Sequence, residues 1–107
     1  MTIMDRDELL RRIKAPLAEA FGERLKGVVL YGSEARGEAR ADSDIDLFVL
    51  LQGPVDWWEE TKAIIDLLYP LVLELERPIH AVPVDEAVYE AQEFAVYRNA
   101  KREGILA

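Results

Sequence analysis

The sequence contains no cysteine, which excludes disulfides, thiolate metal sites and a cysteine nucleophile. Basic residues are in short supply: 13 Lys and Arg stand against 21 Asp and Glu, a formal charge of -8. Phosphate backbones repel a surface of that sign, so nonspecific nucleic-acid binding is disfavoured. A metal-bridged nucleoside triphosphate is not excluded, because a divalent cation and a few local arginines offset its charge inside one pocket. No segment approaches the roughly 20 apolar residues of a membrane span. The stretch from Met1 to Lys14 mixes Asp5, Arg6, Asp7 and Glu8 with apolar residues and lacks the uninterrupted apolar run of a signal peptide. Cytoplasmic residence is the expectation.

Half of the 107 residues are apolar and 32% are charged, the composition of a globular chain rather than a disordered one. The length predicts one domain over residues 1–107. Small domains bury a smaller share of their surface than large ones, so contact with a like or unlike subunit is an expected source of stability.

Leu9, Leu10, Ile13, Leu17 and Phe21 recur at helical spacing and predict an amphipathic helix from Asp5 to Phe21. Pro16 should kink or bound it, and Gly22 is placed to end it. Val28 to Tyr31 is a short β-branched and aromatic run that predicts a buried strand. A polar connection over 32–43 leads to a second strand, Ile45 to Leu51. Gln52-Gly53-Pro54 marks a turn, and Asp56 offers an N-cap to a helix starting at Trp57. Ile64, Leu67, Leu68, Leu71, Val72 and Leu75 form that helix's buried face, with Pro70 expected to split it. Ile79 to Val84 predicts a third strand, placed at an edge by Pro83. Asp85 caps a last helix, whose apolar face reads as Val88, Ala91, Phe94, Ala95 and Tyr97 before Gly104. The order helix, strand, strand, helix, strand, helix implies an α/β (α+β) fold, a small mixed sheet with helices packed on it.

The chemistry is concentrated between Gly32 and Leu47. Gly32 lets the chain turn out of the first strand and exposes backbone N-H groups where a phosphate can approach without meeting a Cβ. Ser33 adds a hydroxyl donor. A helical turn over 33–36 would aim further N-H groups at the phosphates, with Arg36 one turn on to neutralise charge. Asp44 and Asp46 lie two apart at the start of a strand, so both carboxylates leave one face while Ile45 and Leu47 point inward. Two aligned carboxylates repel unless a cation lies between them, and hard oxygen ligands suit Mg²⁺ bridging protein and phosphates.

Gly32-Ser33 followed by Asp44-x-Asp46 resembles the signature of the polymerase-β-like nucleotidyltransferase superfamily. The opening Gly32-Ser33-x-Ala35-Arg36-Gly37, the core Ser43-Asp44-Ile45-Asp46-Leu47 and the short chain are similar to its minimal nucleotidyltransferases. The resemblance implies the polymerase-β-like fold, with Gly32, Ser33, Arg36 and Ser43 at the nucleotide and Asp44 and Asp46 on catalytic Mg²⁺. It further implies transfer of AMP from ATP to a hydroxyl of a partner protein. The implied partner is a small helical HEPN-type protein encoded nearby, in a toxin–antitoxin pair. Members of the superfamily place a third acid on a later strand, and here His80 occupies that place. An imidazole serves as a base but is a poorer partner for Mg²⁺ than a carboxylate. A second reading follows, in which the domain has little or no activity and neutralises a helical partner by binding.

Several residues have competing plain explanations. Arg36 and Arg40 suit phosphate contact or surface pairing with Glu34, Glu38 or Asp42. His80 suits catalysis or a half-exposed strand position. Glu74 and Glu76 read as a solvated helix end rather than as the missing acid. Trp57 and Trp58 cannot both face one core from adjacent helical positions, so at least one ring should lie at the periphery, on the domain's own edge or against a partner.

Overall fold

The computed structural model describes residues 5–38, 40 and 43–107. Helix α1 spans Arg6–Phe21 and is followed by a 3₁₀ turn, Gly22–Arg24. Strand β1, Leu25–Tyr31, leads through the four-residue α2, Ser33–Arg36, to β2, Ile45–Leu51. Helix α3, Trp57–Leu75, crosses to β3, Ile79–Asp85. The chain continues through α4, Glu86–Ala91, α5, Ala95–Glu103, and a two-residue strand β4, Ile105–Leu106.

The sheet order is β3-β2-β1-β4. β1 runs antiparallel to β2 and to β4, whereas β2 and β3 are parallel. A parallel neighbour cannot be reached by a tight turn, and α3 supplies the crossover. Side chains alternate between the two faces of a strand, and both faces of this sheet are covered. Val28, Leu30, Ile45, Leu47, Val49 and Leu51 pack with Leu9, Ile13 and Leu17 of α1 and Ile64 and Leu68 of α3. On the opposite face Val29, Phe48, Leu50 and Val84 pack with Tyr89 of α4 and Ala100 of α5. Cover on both sides explains the unbroken apolar run from Leu47 to Leu51, since a strand buried on both faces has no polar alternation.

Neither internal proline divides its helix. Pro16 lies within α1 and Pro70 within α3, and both helices run through them. Each proline removes one backbone hydrogen bond, a cost of about 3 kcal/mol. Ile13 and Leu17 flank Pro16 with no exposed surface, and Leu68 and Leu71 flank Pro70 in the core. Fully burying such side chains is worth about 1.5–3 kcal/mol each, enough to hold the helix together. Both helices start where expected: Asp5 accepts from the Glu8 amide at 2.8 Å and Asp56 from the Glu59 amide at 3.1 Å.

The predicted last helix is two helices. Gln92 adopts a positive φ of 56° between α4 and α5, and its side-chain amide donates to the Tyr89 carbonyl at 2.7 Å. The break rotates the predicted apolar face away from the sheet: Val88, Ala91, Phe94 and Ala95 are exposed, whereas Tyr89 and Ala100 are buried and Tyr97 is half-buried. Strand β4 was not expected, and β1 begins three residues earlier than the β-branched run implies, at Leu25.

Candidate active site

The alternation of β2 divides its first residues. Ile45 and Leu47 are fully buried under α1 and α3, so Asp46, and Asp44 just before the strand, belong to the opposite face. That face is covered by α4 and α5 over Phe48 and Leu50 but not over the strand's start. Asp46 stands opposite Tyr31 on one side and His80 on the other. The carboxylates therefore occupy the open end of an otherwise packed aromatic face, in which Tyr31 stacks on Phe48 with ring centroids 4.2 Å apart.

Gly32 ends β1 beside them. Its φ of 77° and ψ of -154° fall in a region that is essentially glycine-only. A Cβ built there would lie 2.8 Å from Asp46 Oδ2. The glycine thus serves two ends, turning the chain into α2 and leaving room for a carboxylate against bare backbone. Ser33 opens α2, and the Arg36 and Glu38 amides close that turn on the Gly32 and Ser33 carbonyls.

His80 Nε2 lies 3.1 Å from Asp44 Oδ2. The sole histidine is exposed, and it adjoins the acid pair from β3, in register with Asp46. Asp46 has its pKa raised above the ordinary aspartate value of 3.8 by burial; His80 opposes the shift and the neighbouring Asp44 charge adds to it. Burial and the Asp46 charge likewise push the Tyr31 phenol upward. A partly desolvated carboxylate with a second one beside it stays charged more readily when a cation joins the pair. Among the described residues no group of three or more His, Cys, Asp and Glu side chains converges as a metal cage. Two carboxylates nevertheless fit Mg²⁺ of the kind that takes one or two protein ligands and completes its shell with phosphates and water.

The other predicted residues are placed as follows. Arg36 pairs with Glu38 at 3.2 Å and with Glu103 of α5 at 3.8 Å; the second partner was not foreseen. It lines a small cleft with Tyr31, Gly32, Val96, Asn99 and Glu103. Ser43 turns inward on its own loop, its hydroxyl accepting from the Arg40 amide at 2.8 Å. The expected pairing with Asp42 lies outside the described residues. Glu74 is in an ion pair with Arg12 of α1, away from the acid pair, and Glu76 forms the C-cap of α3. Trp57 and Trp58 are both exposed, at 56% and 63%, so neither ring enters the core. Between α3 and β3 a groove of about 320 Å³ is lined by Ile65, Leu68, Tyr69, Ile79 and Ala81, with His80 also on its wall.

Sequence reading missed Arg77, which reaches Glu34 of α2 and the carbonyl of Ser43. Its one local signal is a charged residue held between the end of a helix and a proline-led strand. Nothing along the chain indicates a partner 43 residues away.

Known proteins resemble this chain in sequence and in fold. A Methanocaldococcus jannaschii protein named for an inferred protein adenylyltransferase activity is 29% identical over 102 residues, which cover 94% of this chain and 96% of the relative. A toxin–antitoxin crystallised with AMP-PNP has a chain of similar fold, with a TM-score of 0.61, 20% identity and coverage of 90% of this chain and 69% of its own. A chain of a variant MntA–HpeT toxin–antitoxin gives a TM-score of 0.59 and 17% identity over 98% of this chain and 72% of its own. These two likenesses show the fold, a mixed sheet with flanking helices. The family described as the nucleotidyltransferase domain matches residues 10–107, nearly the whole chain and every residue of the acid pair, and the protein belongs to that family.

Proposed function

We propose that this nucleotidyltransferase transfers AMP from ATP to a hydroxyl of a partner protein, with Mg²⁺ held by Asp44 and Asp46. The observation behind the reading is the Asp46 carboxylate lying against bare backbone at Gly32, with Asp44 and His80 beside it. Bound there, Mg²⁺ would supply positive charge to the phosphates and to the leaving pyrophosphate. The chain's own groups have separate tasks. Gly32 and the start of α2 leave room for the triphosphate, Ser33 donates to it, and Arg36 leaves Glu38 and Glu103 to meet it. Ser43 keeps the loop before Asp44 in place. The acceptor oxygen attacks the α-phosphorus in line as the bond to the β-phosphate oxygen breaks, and the hydroxyl proton passes to His80, which stands in the place of a third acid.

The protein acceptor is favoured by the name of the Methanocaldococcus jannaschii relative, and ATP by the AMP-PNP of the toxin–antitoxin of like fold. On this reading the domain is the antitoxin of a pair and its partner a helical, HEPN-type toxin. The exposed apolar face of α3, with Trp58, Ile65, Tyr69 and Leu73, and the groove leading to His80 suit contact with such a partner. A cytoplasmic setting goes with it; no helix among the described residues is long and apolar enough to cross a membrane.

The test is incubation with ATP, Mg²⁺ and the helical protein encoded beside this one, followed by intact-mass spectrometry of that protein. An added AMP that disappears with Asp44→Asn plus Asp46→Asn is the expected result. A second reading, neutralisation by contact alone, is favoured by His80 in place of an acid. It requires the double variant to protect cells from the partner as well as the unaltered protein does, and loss of protection with retained binding would exclude it.

A further inference from the structure

We infer that Arg77 is a positioning residue that ties the phosphate-side segment of the site to the metal-side segment. The inference rests on the nucleotide and Mg²⁺ reading above. Arg77 belongs to no helix or strand; it lies between the Glu76 C-cap of α3 and the start of β3. Its Nε donates to the Ser43 carbonyl at 2.8 Å, while Nη1 and Nη2 donate to the two Glu34 carboxylate oxygens at 3.3 and 2.9 Å. Ser43 is the residue before Asp44, and Glu34 is the residue after Ser33. One planar group therefore grips both segments one residue away from the side chains that matter. The Pro78 carbonyl next to it accepts from the Ile45 amide at 2.9 Å and fixes the same strand start from the other side of Asp44.

Only arginine offers such a fork. The guanidinium has five donors in fixed directions, so it can be bidentate to a carboxylate and still give a third hydrogen bond, which a lysine ammonium cannot do with the same geometry. Arg77 with Glu34 is also the one ion pair among the described residues in which both side chains are less than 20% exposed, at 13% for Arg77 and 15% for Glu34. Burial makes stability a poor explanation for it, because desolvating both charges offsets most of their attraction, and apolar replacements of such pairs are often neutral. What the pair does provide is distance and angle between two segments otherwise connected through the loop after α2. Group transfer is sensitive to displacements of about 1 Å, so that connection bears on chemistry.

The experiment uses the intact chain and the variants Arg77→Gln, Glu34→Gln and Glu34→Gln/Arg77→Gln. The double variant leaves no unpaired buried charge and keeps the test valid if Arg77→Gln alone fails to fold. MgATP binding is measured by calorimetry and amide hydrogen exchange by NMR, the latter without nucleotide. The double variant is expected to keep its helices, to bind MgATP about tenfold more weakly or worse, and to exchange faster at residues 33–36 and 43–46 with α1 and α3 unchanged. Glu34→Gln alone should loosen 33–36 and spare 43–46, because the Arg77 bond to the Ser43 carbonyl remains. Unchanged exchange in both segments, or wild-type affinity for MgATP in the double variant, overturns the inference. If the unaltered protein binds no MgATP, the nucleotide reading fails on its own and the exchange data still decide the role of Arg77.

Discussion

Replacing Gly32 with alanine separates two functions of one residue. The backbone there has a φ of 77° and a ψ of -154°, and a residue with a Cβ held in that region costs about 1–3 kcal/mol. For a domain of about 100 residues that is a fall in Tm of roughly 5–20 °C. The steric effect is more specific, since the new methyl would sit 2.8 Å from Asp46 Oδ2 and the carboxylate must move. Gly37→Ala is the control: its φ of 74° and ψ of 18° place it in the left-handed region, where alanine costs about 1–2 kcal/mol, but nothing among the described residues lies within 4 Å of its Cβ position. Thermal unfolding followed by circular dichroism, with and without MgATP, gives both readouts. Both variants should melt lower than the unaltered chain, while MgATP should raise the Tm of Gly37→Ala and leave that of Gly32→Ala unmoved. Equal stabilisation of the two variants by MgATP would refute the assignment of Gly32 to the site.

Asp46 binds its proton more tightly in the folded protein than in the unfolded one, because burial raises its pKa above 3.8. The metal-free fold is therefore helped by this group below that ordinary value and loses the help as pH rises through the raised one. Asp46→Asn should accordingly raise the Tm of the metal-free protein at pH 7 and flatten its dependence on pH across that window, as thermal melts at a series of pH values will register; a lowered Tm at pH 7 would contradict it. Trp57→Ala with Trp58→Ala alters two exposed rings and should change unfolding free energy by no more than about 0.5 kcal/mol, while weakening the complex with the helical partner in calorimetry. Unchanged partner affinity would remove these rings from the interface.

The parts of the fold legible along the chain were those set by local pattern. The run from Ile45 to Leu51 and the caps Asp5 and Asp56 are read from neighbours alone, and Gly32 with Asp44 and Asp46 follows from a turn residue and a two-residue spacing. The two proline helices were misjudged because a lost hydrogen bond is local, whereas the packing of Ile13, Leu17, Leu68 and Leu71 that outweighs it is not. Gln92 breaks the last helix without a glycine or proline to announce it. Strand β4 has two residues and exists because β1 has a free edge to pair with; no periodicity can mark it. At the site, Arg77 with Glu34 and Arg36 with Glu103 are ion pairs between distant segments, visible only once the strands bring those segments together.

The most direct test of nucleotidyl transfer is to follow which phosphate of ATP reaches the partner protein. With Mg²⁺ present, label at the α-phosphate should become acid-stable on the partner while pyrophosphate is released, and label at the γ-phosphate should not. Transfer of the γ label, or transfer of the α label that persists in Asp44→Asn with Asp46→Asn, would contradict the account.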